Sequence, residues 1–237
     1  MTAAGTLYLI PAALGETDWS DYQPQGTRNL CGRLQYFVVE NAKTARAELK
    51  RIDHPTPLRE ISIEQLPEKP SATDIERLLQ PLRDGHDVGV LSEAGCPGVA
   101  DPGALLVRRA HEIGLAVRPL VGPSSLLLAL MGSGLEGQRF AFHGYLPARE
   151  PERSRRITEL ERDSMKLDQT QIFIETPYRN MAMFDALLAA ARASSRLCVA
   201  SDLTLPTEMI RTRTIGDWRG AERPALDKRP TVFLLLG

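Results

Sequence analysis

Short apolar segments alternate with amphipathic segments along the first half of the chain. Apolar runs of strand length occur at 5–10, 35–39, 60–63, 87–91 and 115–121. Helices are predicted between them, over 41–51, 71–83, 104–113 and 124–131. In the second of these helices, Ile75, Leu78 and Leu82 share one face, and the N-cap pattern Ser71-Ala-Thr-Asp74 precedes them. Strands that alternate with helices predict a largely parallel sheet with helical crossovers.

The second half of the chain has a different order of segments. Strands are predicted over 140–146, 171–175, 196–201, 207–215 and 231–236, and helices over 150–166 and 178–192. The last strands follow one another with only turns between them, which indicates antiparallel pairing. We therefore expect two α/β domains, a mostly parallel one over 1–121 and a mixed or antiparallel one over 122–237.

The composition narrows the class of protein. The net charge is −1 and aromatic residues are 5%, which weighs against a dedicated nucleic-acid clamp. Three cysteines without a CxxC pair and four scattered histidines predict no metal site. The N-terminus has no signal-peptide pattern, and the longest uncharged stretch, 119–135, has 17 residues and is broken by proline and glycine. A soluble cytoplasmic protein is expected, with no membrane segment.

Three loops that follow predicted strands are candidate ligand-binding loops. The richest, 92–103, holds three glycines and two prolines, and the others are 10–15 and 121–125. Parallel strands would bring all three to one edge of the sheet, where α/β proteins bind ligands. The alternatives are a rigid turn at 92–103 and a simple helix N-cap at Ser124 or Ser125. Neither a Walker A motif nor GxGxxG is present.

Titratable residues near these loops are the acid–base candidates. Glu93 and Asp101 lie in the richest loop, and Glu40 and Glu175 each follow an apolar strand, where a carboxylate can also cap a helix. Cys96 fits small-residue packing beside a ligand better than a nucleophile. Of two basic clusters, the charged helix 150–166 suits solvent-exposed ion pairs, while 211–229 is the better candidate for phosphate contact.

The ordered motifs resemble the tetrapyrrole methylase family of S-adenosylmethionine-dependent methyltransferases. Within it they are most similar to the branch that methylates ribose 2′-hydroxyls of cytidines in small-subunit ribosomal RNA. The matching segments are Leu7-Tyr-Leu-Ile-Pro11, Ser92-Glu-Ala-Gly-Cys-Pro97, Asp101-Pro-Gly103, Val121-Gly-Pro-Ser-Ser125, Phe142-His-Gly-Tyr-Leu-Pro147, Phe173-Ile-Glu-Thr-Pro-Tyr-Arg179 and Val232-Phe-Leu-Leu-Leu236. The resemblance covers nearly the whole chain.

The resemblance implies two α/β domains with S-adenosylmethionine in a cleft between them, and a homodimer. Cofactor contacts carried over by position are Pro11, Gly95, Cys96, Val99, Ser124, Ser125, Glu175, Leu203 and Thr231. A ribose hydroxyl also needs a proton acceptor, for which Glu93 and Glu40 are the candidates, with Asp101 as a loop-fixing residue. RNA contact is expected from Lys43, Arg46 and Arg179 together with the 211–229 segment.

Two departures from that branch bear on the substrate. The branch has Glu-Asp-Thr-Arg after its second strand, where this chain has Glu40-Asn-Ala-Lys43. The branch commonly carries a small C-terminal extension, and this sequence ends at Gly237, so a short form is expected. The alternatives to ribosomal RNA are a tetrapyrrole or other small metabolite as methyl acceptor, and a regulatory cofactor-binding dimer with little catalysis.

Overall fold

The computed structural model describes residues 3–237 in two compact units that divide between Ser124 and Ser125. The first two residues, part of the N-terminus that was considered for a signal peptide, lie outside this range. Within residues 3–237, no helix is long and apolar enough to cross a membrane.

The first unit is built on one five-stranded sheet. Its elements are β1 (Thr6–Ile10), α1 (Gln25–Cys31), β2 (Tyr36–Val39), α2 (Ala42–Arg51), β3 (Ser62–Gln65), α3 (Ala72–Arg83), β4 (Val88–Leu91), α4 (Gly103–Glu112) and β5 (Ala116–Pro119). The strand order is β3-β2-β4-β1-β5 and every pair is parallel. All five strands therefore end at the same edge, as the βα alternation predicts.

The strand order places β1 and β4 side by side at the centre of the sheet. The chain leaves β1 towards β2 and leaves β4 towards β5, so the two connections run in opposite directions and each passes the other strand. In open α/β sheets, ligands bind at the carboxyl ends of strands where the connections change direction.

Local capping fixes where the helices of this unit begin. The Asn41 side chain accepts from the backbone N–H groups of Lys43 and Thr44 and caps α2. Ser71 and Asp74 form a capping box at α3, which confirms the N-cap pattern in the sequence. The apolar face of α3 then packs on the sheet, with Leu79 and Leu82 fully buried.

The second unit holds a mixed five-stranded sheet. Its elements are α5 (Ser125–Ser133), β6 (Phe140–Tyr145), α6 (Glu152–Leu167), β7 (Thr170–Ile174), α7 (Asn180–Ala190), β8 (Arg196–Ser201), β9 (Met209–Thr214), α8 (Ile215–Gly220) and β10 (Thr231–Leu236). The order is β6-β7-β10-β8-β9, with β6 and β7 parallel and the other pairs antiparallel. This confirms the predicted α/β fold with a second sheet of mixed type.

One face of the second sheet carries the core of its unit. Phe173, Val199 and Phe233 are fully buried there and pack with Phe184 and Trp218. Since side chains alternate between faces along a strand, residues two positions further on continue this same face to the end of the sheet.

Two helices were missing from the sequence prediction. The segment between β9 and β10, predicted as turns, contains α8, which starts at the N-cap Thr214 and buries Trp218. The segment between β1 and β2 contains α1, whose first turn has no side-chain cap. Both helices are short and depend on tertiary contacts, so their periodicity is too weak to predict them.

Candidate functional site

The three candidate loops meet at the carboxyl edge of the parallel sheet. Ala12 and Gly95 exchange backbone hydrogen bonds of 2.9 and 3.2 Å, which join the loop after β1 to the loop after β4. The Cys96 thiol donates to the Pro123 carbonyl at 3.3 Å, which joins the loop after β4 to the loop after β5. Pro11, Gly95, Cys96 and Pro123 are thus parts of one surface at this edge of the sheet.

Glycine is required where two of these loops touch. A Cβ atom added to Gly122 would lie 2.4 Å from the Cβ atom of Pro11, closer than side chains tolerate. Gly95 and Gly98 adopt positive φ angles of 70° and 82°, which side chains rarely adopt. Glycine at these positions therefore lets the loops pack against each other and turn tightly.

Asp101 holds the shape of the loop after β4. Its Oδ1 atom accepts from the N–H groups of Gly98 and Gly103, each at 2.8 Å. Burial raises the pKa of this carboxyl, and the two N–H donors oppose that effect. Val99, between these contacts, is 49% exposed and free to meet a ligand. This geometry is that of a loop-fixing residue.

The two catalytic candidates are in contact. The backbone N–H of Glu93 donates to Glu40 Oε2 at 2.7 Å. Burial raises the pKa of Glu40; the Glu93 N–H lowers it, and the charges of Asp101 and Glu93 raise it further. The Glu40 carboxylate is half-buried among other acids, whereas the side chain of Glu93 is exposed. The two residues therefore differ in environment.

Gln23 and Thr27 also belong to this surface, although no sequence motif indicates either residue. Gln23 Nε2 donates to the Pro11 carbonyl at 3.2 Å, and Thr27 Oγ1 donates to the Val121 carbonyl at 2.9 Å. Gln23 is 4% exposed, and its Oε1 atom has no partner within the described residues. An unpaired acceptor in a buried place is costly unless a bound molecule donates to it.

A second group of candidates lies at the end of the mixed sheet. Thr231 pairs with Ser201 across β10 and β8, and the β7–β10 register places Glu175 beside Thr231. Glu175 and Ser201 are buried, and Glu175 Oε2, Asn180 Oδ1 and Ser201 Oγ all lack partners among the described residues. Several unsatisfied polar atoms in one place suit a polar ligand or bound water.

Arg179 forms an ion pair with Glu175. Its Nε and Nη2 atoms donate to Glu175 Oε1 at 3.0 and 2.7 Å. The carboxylate is fully buried and the guanidinium is 41% exposed. Arg179 was predicted to contact substrate; in the structure it neutralises and orients Glu175, and the remaining oxygen of Glu175 stays available.

Four arginines of the basic segment 211–229 contact groups within their own unit. Arg219 donates to the carbonyls of Leu188 and Ala191, and Arg223 pairs with Asp185 at 2.7 Å. Arg213 stacks on Trp218, and Arg229 pairs with Asp202. These cations bond to groups within the unit, and the positive face expected from this segment together with Lys43, Arg46 and Arg179 stays a prediction. Lys43 and Arg46, by contrast, are exposed on α2.

Metal ligands are not grouped anywhere in residues 3–237: no three His, Cys, Asp or Glu side chains come together as a possible site. Of the free cysteines, Cys31 and Cys198 are buried, and burial raises the pKa of Cys31 to about 12. Burial also raises the pKa of Cys96, which makes its thiol a poor nucleophile.

The fold is that of the tetrapyrrole methyltransferases. The crystal structure of the methyltransferase CobJ matches with a TM-score of 0.64 at 17% identity, covering 100% of this chain and 95% of that one. The cobalt precorrin-4 methyltransferase CbiF matches with a TM-score of 0.62 at 15% identity, over 98% and 94% of the two chains. The fold and the resemblance at the site loops define an S-adenosylmethionine-dependent methyltransferase.

Sequence comparison identifies the family. No family model matches the chain. Ribosomal RNA small subunit methyltransferase I of Xylella fastidiosa is 32% identical over 217 residues, which are 91% of this chain and 75% of the relative. The enzyme of the same name from Pseudomonas aeruginosa is 29% identical over 222 residues, 91% of this chain and 73% of the relative. The chain belongs to the ribosomal RNA small subunit methyltransferase I family.

Proposed function

We propose that the protein transfers a methyl group from S-adenosylmethionine to a ribose 2′-hydroxyl of small-subunit ribosomal RNA. The observation that carries this proposal is the junction of the loops after β1, β4 and β5 at one sheet edge, in a chain whose relatives are named for ribosomal RNA methylation. The atom methylated follows from the resemblance of the site motifs.

The residues present fit the cofactor. In the first unit, the loops that carry Pro11, Gly95, Cys96, Val99 and Ser124 meet at one sheet edge, and these five residues are uncharged, which suits a ligand held mainly by main-chain contacts. S-adenosylmethionine carries ribose hydroxyls and amino groups, and these are the donors that the unpaired oxygen of Gln23 lacks.

The resemblance assigns further cofactor contacts to the second unit. We propose that Ser125, Glu175, Leu203 and Thr231 contribute to binding S-adenosylmethionine. The free Oε2 atom of Glu175 supports this assignment, because a buried carboxylate oxygen requires a donor. Glu175 is already oriented by Arg179, so its position is set before ligand binding.

Glu40 is the better of the two candidate bases. S-adenosylmethionine supplies a methyl group already activated on a sulfonium, so positioning of the acceptor provides much of the rate. The acceptor hydroxyl loses its proton, and a carboxylate whose pKa is raised is a stronger base than an ordinary one. Glu40 has this property, while the main chain of Glu93 orients it.

RNA contact is assigned to the exposed end of α2. Lys43 and Arg46 lie one turn apart on this helix, just after Glu40. Cations there would position the phosphates that flank the target ribose. Arg179 contributes to this contact through its exposed edge, since its Nε and Nη2 atoms donate to Glu175. The homodimer and the cytoplasmic location stay predictions.

A labelled-methyl assay tests the proposed function. The purified protein and S-adenosylmethionine are incubated with small ribosomal subunits that lack the modification and, separately, with a metabolite extract. We expect label in the RNA, resistant to alkaline cleavage at the modified ribose. Label in the extract alone would identify a small-molecule methylase. Cofactor binding with label in neither fraction would identify a regulatory binding protein.

A further inference from the structure

Two loops at the end of the mixed sheet hold an unusual backbone conformation. Asp202 and Thr204, after β8, have φ angles of 52° and 72°, and Lys228, before β10, has a φ angle of 59°. Non-glycine residues adopt this left-handed region at an energetic cost, which is greatest for a β-branched residue such as Thr204. Such a conformation persists only where neighbouring contacts hold it.

The Arg229 side chain is the centre of those contacts. Its Nε atom donates to Asp202 Oδ2 at 2.7 Å, and its Nη1 atom donates to the Ala225 carbonyl at 3.0 Å. Its Nη2 atom donates to the Thr207 carbonyl, and the Thr207 hydroxyl donates to Asp202 Oδ2 at 2.7 Å. One guanidinium therefore joins both loops, using the fixed donor geometry that lysine lacks.

Hydrogen bonds to the backbone beside Asp202 and Arg229 also join the two loops to their surroundings. The Asp202 N–H donates to the Pro230 carbonyl at 3.0 Å, and Asn180 Nδ2 donates to the Arg229 carbonyl at 2.6 Å. The Arg229 and Asp202 side chains are 25% and 10% exposed, so the ion pair is shielded from water. A shielded, multiply bonded pair is stronger than a surface ion pair.

We propose that Arg229 is a positioning residue for cofactor binding. It holds the loop that presents Leu203 and the strand start that presents Thr231, with Glu175 beside Thr231. This inference rests on the proposed function, because Leu203, Thr231 and Glu175 are there assigned to S-adenosylmethionine. Arg229 itself touches neither cofactor nor substrate in this assignment; it fixes the backbone of residues that do.

The first experiment measures binding of S-adenosylhomocysteine by isothermal titration calorimetry. Arg229→Met keeps the apolar stem and removes the donors, and we expect Kd to rise by about 10- to 100-fold, the cost of losing a charged hydrogen bond. Arg223→Met is the matched control, since Arg223 pairs with Asp185 at a more exposed site of the same segment. We expect its Kd to stay at the wild-type value.

A second variant separates positioning from general stability. When Lys228→Gly is added to Arg229→Met, the double variant should recover part of the lost affinity for S-adenosylhomocysteine, because glycine adopts the left-handed conformation without strain. Lys228→Ala removes the same charge but keeps the strain, and should recover nothing. In steady-state assays, Arg229→Met should raise KM for S-adenosylmethionine and leave kcat at saturation nearly unchanged.

The outcomes are distinct. Wild-type affinity in Arg229→Met, or equal recovery by the glycine and alanine variants, overturns the inference while leaving the proposed function intact. A wild-type protein that binds no S-adenosylhomocysteine overturns both. Should Arg229→Met fail to fold, as judged by circular dichroism, Arg229→Lys serves instead. Lysine keeps the positive charge beside Asp202 but loses the planar set of donors that a guanidinium provides. Unchanged affinity in Arg229→Lys also overturns the inference.

Discussion

The Glu93 N–H donates to Glu40 Oε2 at 2.7 Å and so couples the ends of two neighbouring strands, β2 and β4. The bond fixes one carboxylate oxygen of Glu40. Burial raises the pKa of the Glu40 carboxyl, the Glu93 N–H opposes that shift, and the charges of Asp101 and Glu93 raise the pKa further. The Glu93 N–H therefore orients Glu40, while burial makes its carboxylate more basic.

Glu40→Gln should lower methyl transfer by about 10²- to 10⁴-fold, the usual contribution of a general base. Glutamine keeps an oxygen for the Glu93 N–H, so the loops should keep their geometry. Single-turnover transfer to small ribosomal subunits measures the effect. Glu93→Gln is the control: its N–H is retained and its exposed side chain is replaced, so the rate should change little. Equal losses in both variants would assign the base elsewhere.

The pH dependence of stability provides an independent test of Glu40. A carboxyl with a raised pKa binds more protons in the folded protein than in the unfolded chain, so its contribution falls as pH rises. The loss begins at the ordinary glutamate pKa and is complete above the raised one. Glu40→Gln should therefore be more stable than wild type at neutral pH, and the difference should vanish in acid. Urea unfolding across a pH series measures this; parallel curves would contradict it.

The rate of methyl transfer should rise as Glu40 loses its proton, whereas the contribution of Glu40 to stability falls. As the Glu40 carboxyl loses its proton, kcat/KM should rise with pH, with a midpoint above the ordinary value for glutamate. The rise should be absent in the residual activity of Glu40→Gln. A midpoint at the ordinary glutamate pKa would show that burial of Glu40 does not affect the reaction.

Gly122→Ala should disrupt the junction of the loops. Its Cβ atom would lie 2.4 Å from that of Pro11, so one loop must shift. We expect a loss of about 1–3 kcal/mol in the free energy of unfolding, as for other overpacking substitutions, and weaker cofactor binding. Gly26→Ala is the control, because nothing lies within 4 Å of its added Cβ atom. Chemical denaturation and calorimetric binding of S-adenosylhomocysteine distinguish the two variants.

Gln23→Leu should lower the free energy of unfolding, because it leaves the Pro11 carbonyl without its hydrogen-bond donor. The cost of an unsatisfied buried group is about 1–3 kcal/mol in the free energy of unfolding. The unpaired Oε1 atom also disappears, so cofactor affinity should fall as well if a ligand donates to it. Gln25→Leu removes only an exposed bond to Asn29 and should have little effect. Unchanged affinity in Gln23→Leu would remove Gln23 from the binding surface.

Much of the fold follows from local pattern. The strand Arg196–Ser201 and the strand Thr231–Leu236 begin and end where the apolar runs do, and the capping box at Ser71 marks the start of α3. Helix α1 was not predicted from the sequence, because it lacks a side-chain cap and is held by the hydrogen bond from Thr27 to the distant Val121 carbonyl. Local signals predict elements that local interactions stabilise.

By itself the sequence determined that the loops after β1, β4 and β5 share one edge, because parallel strands all end on the same side. Only the tertiary structure decided which side chains meet there. Glu40 and the Glu93 N–H are 53 residues apart, and Arg229 reaches Asp202 across 27 residues. These contacts depend on strand order and register, which the spacing of apolar residues does not encode.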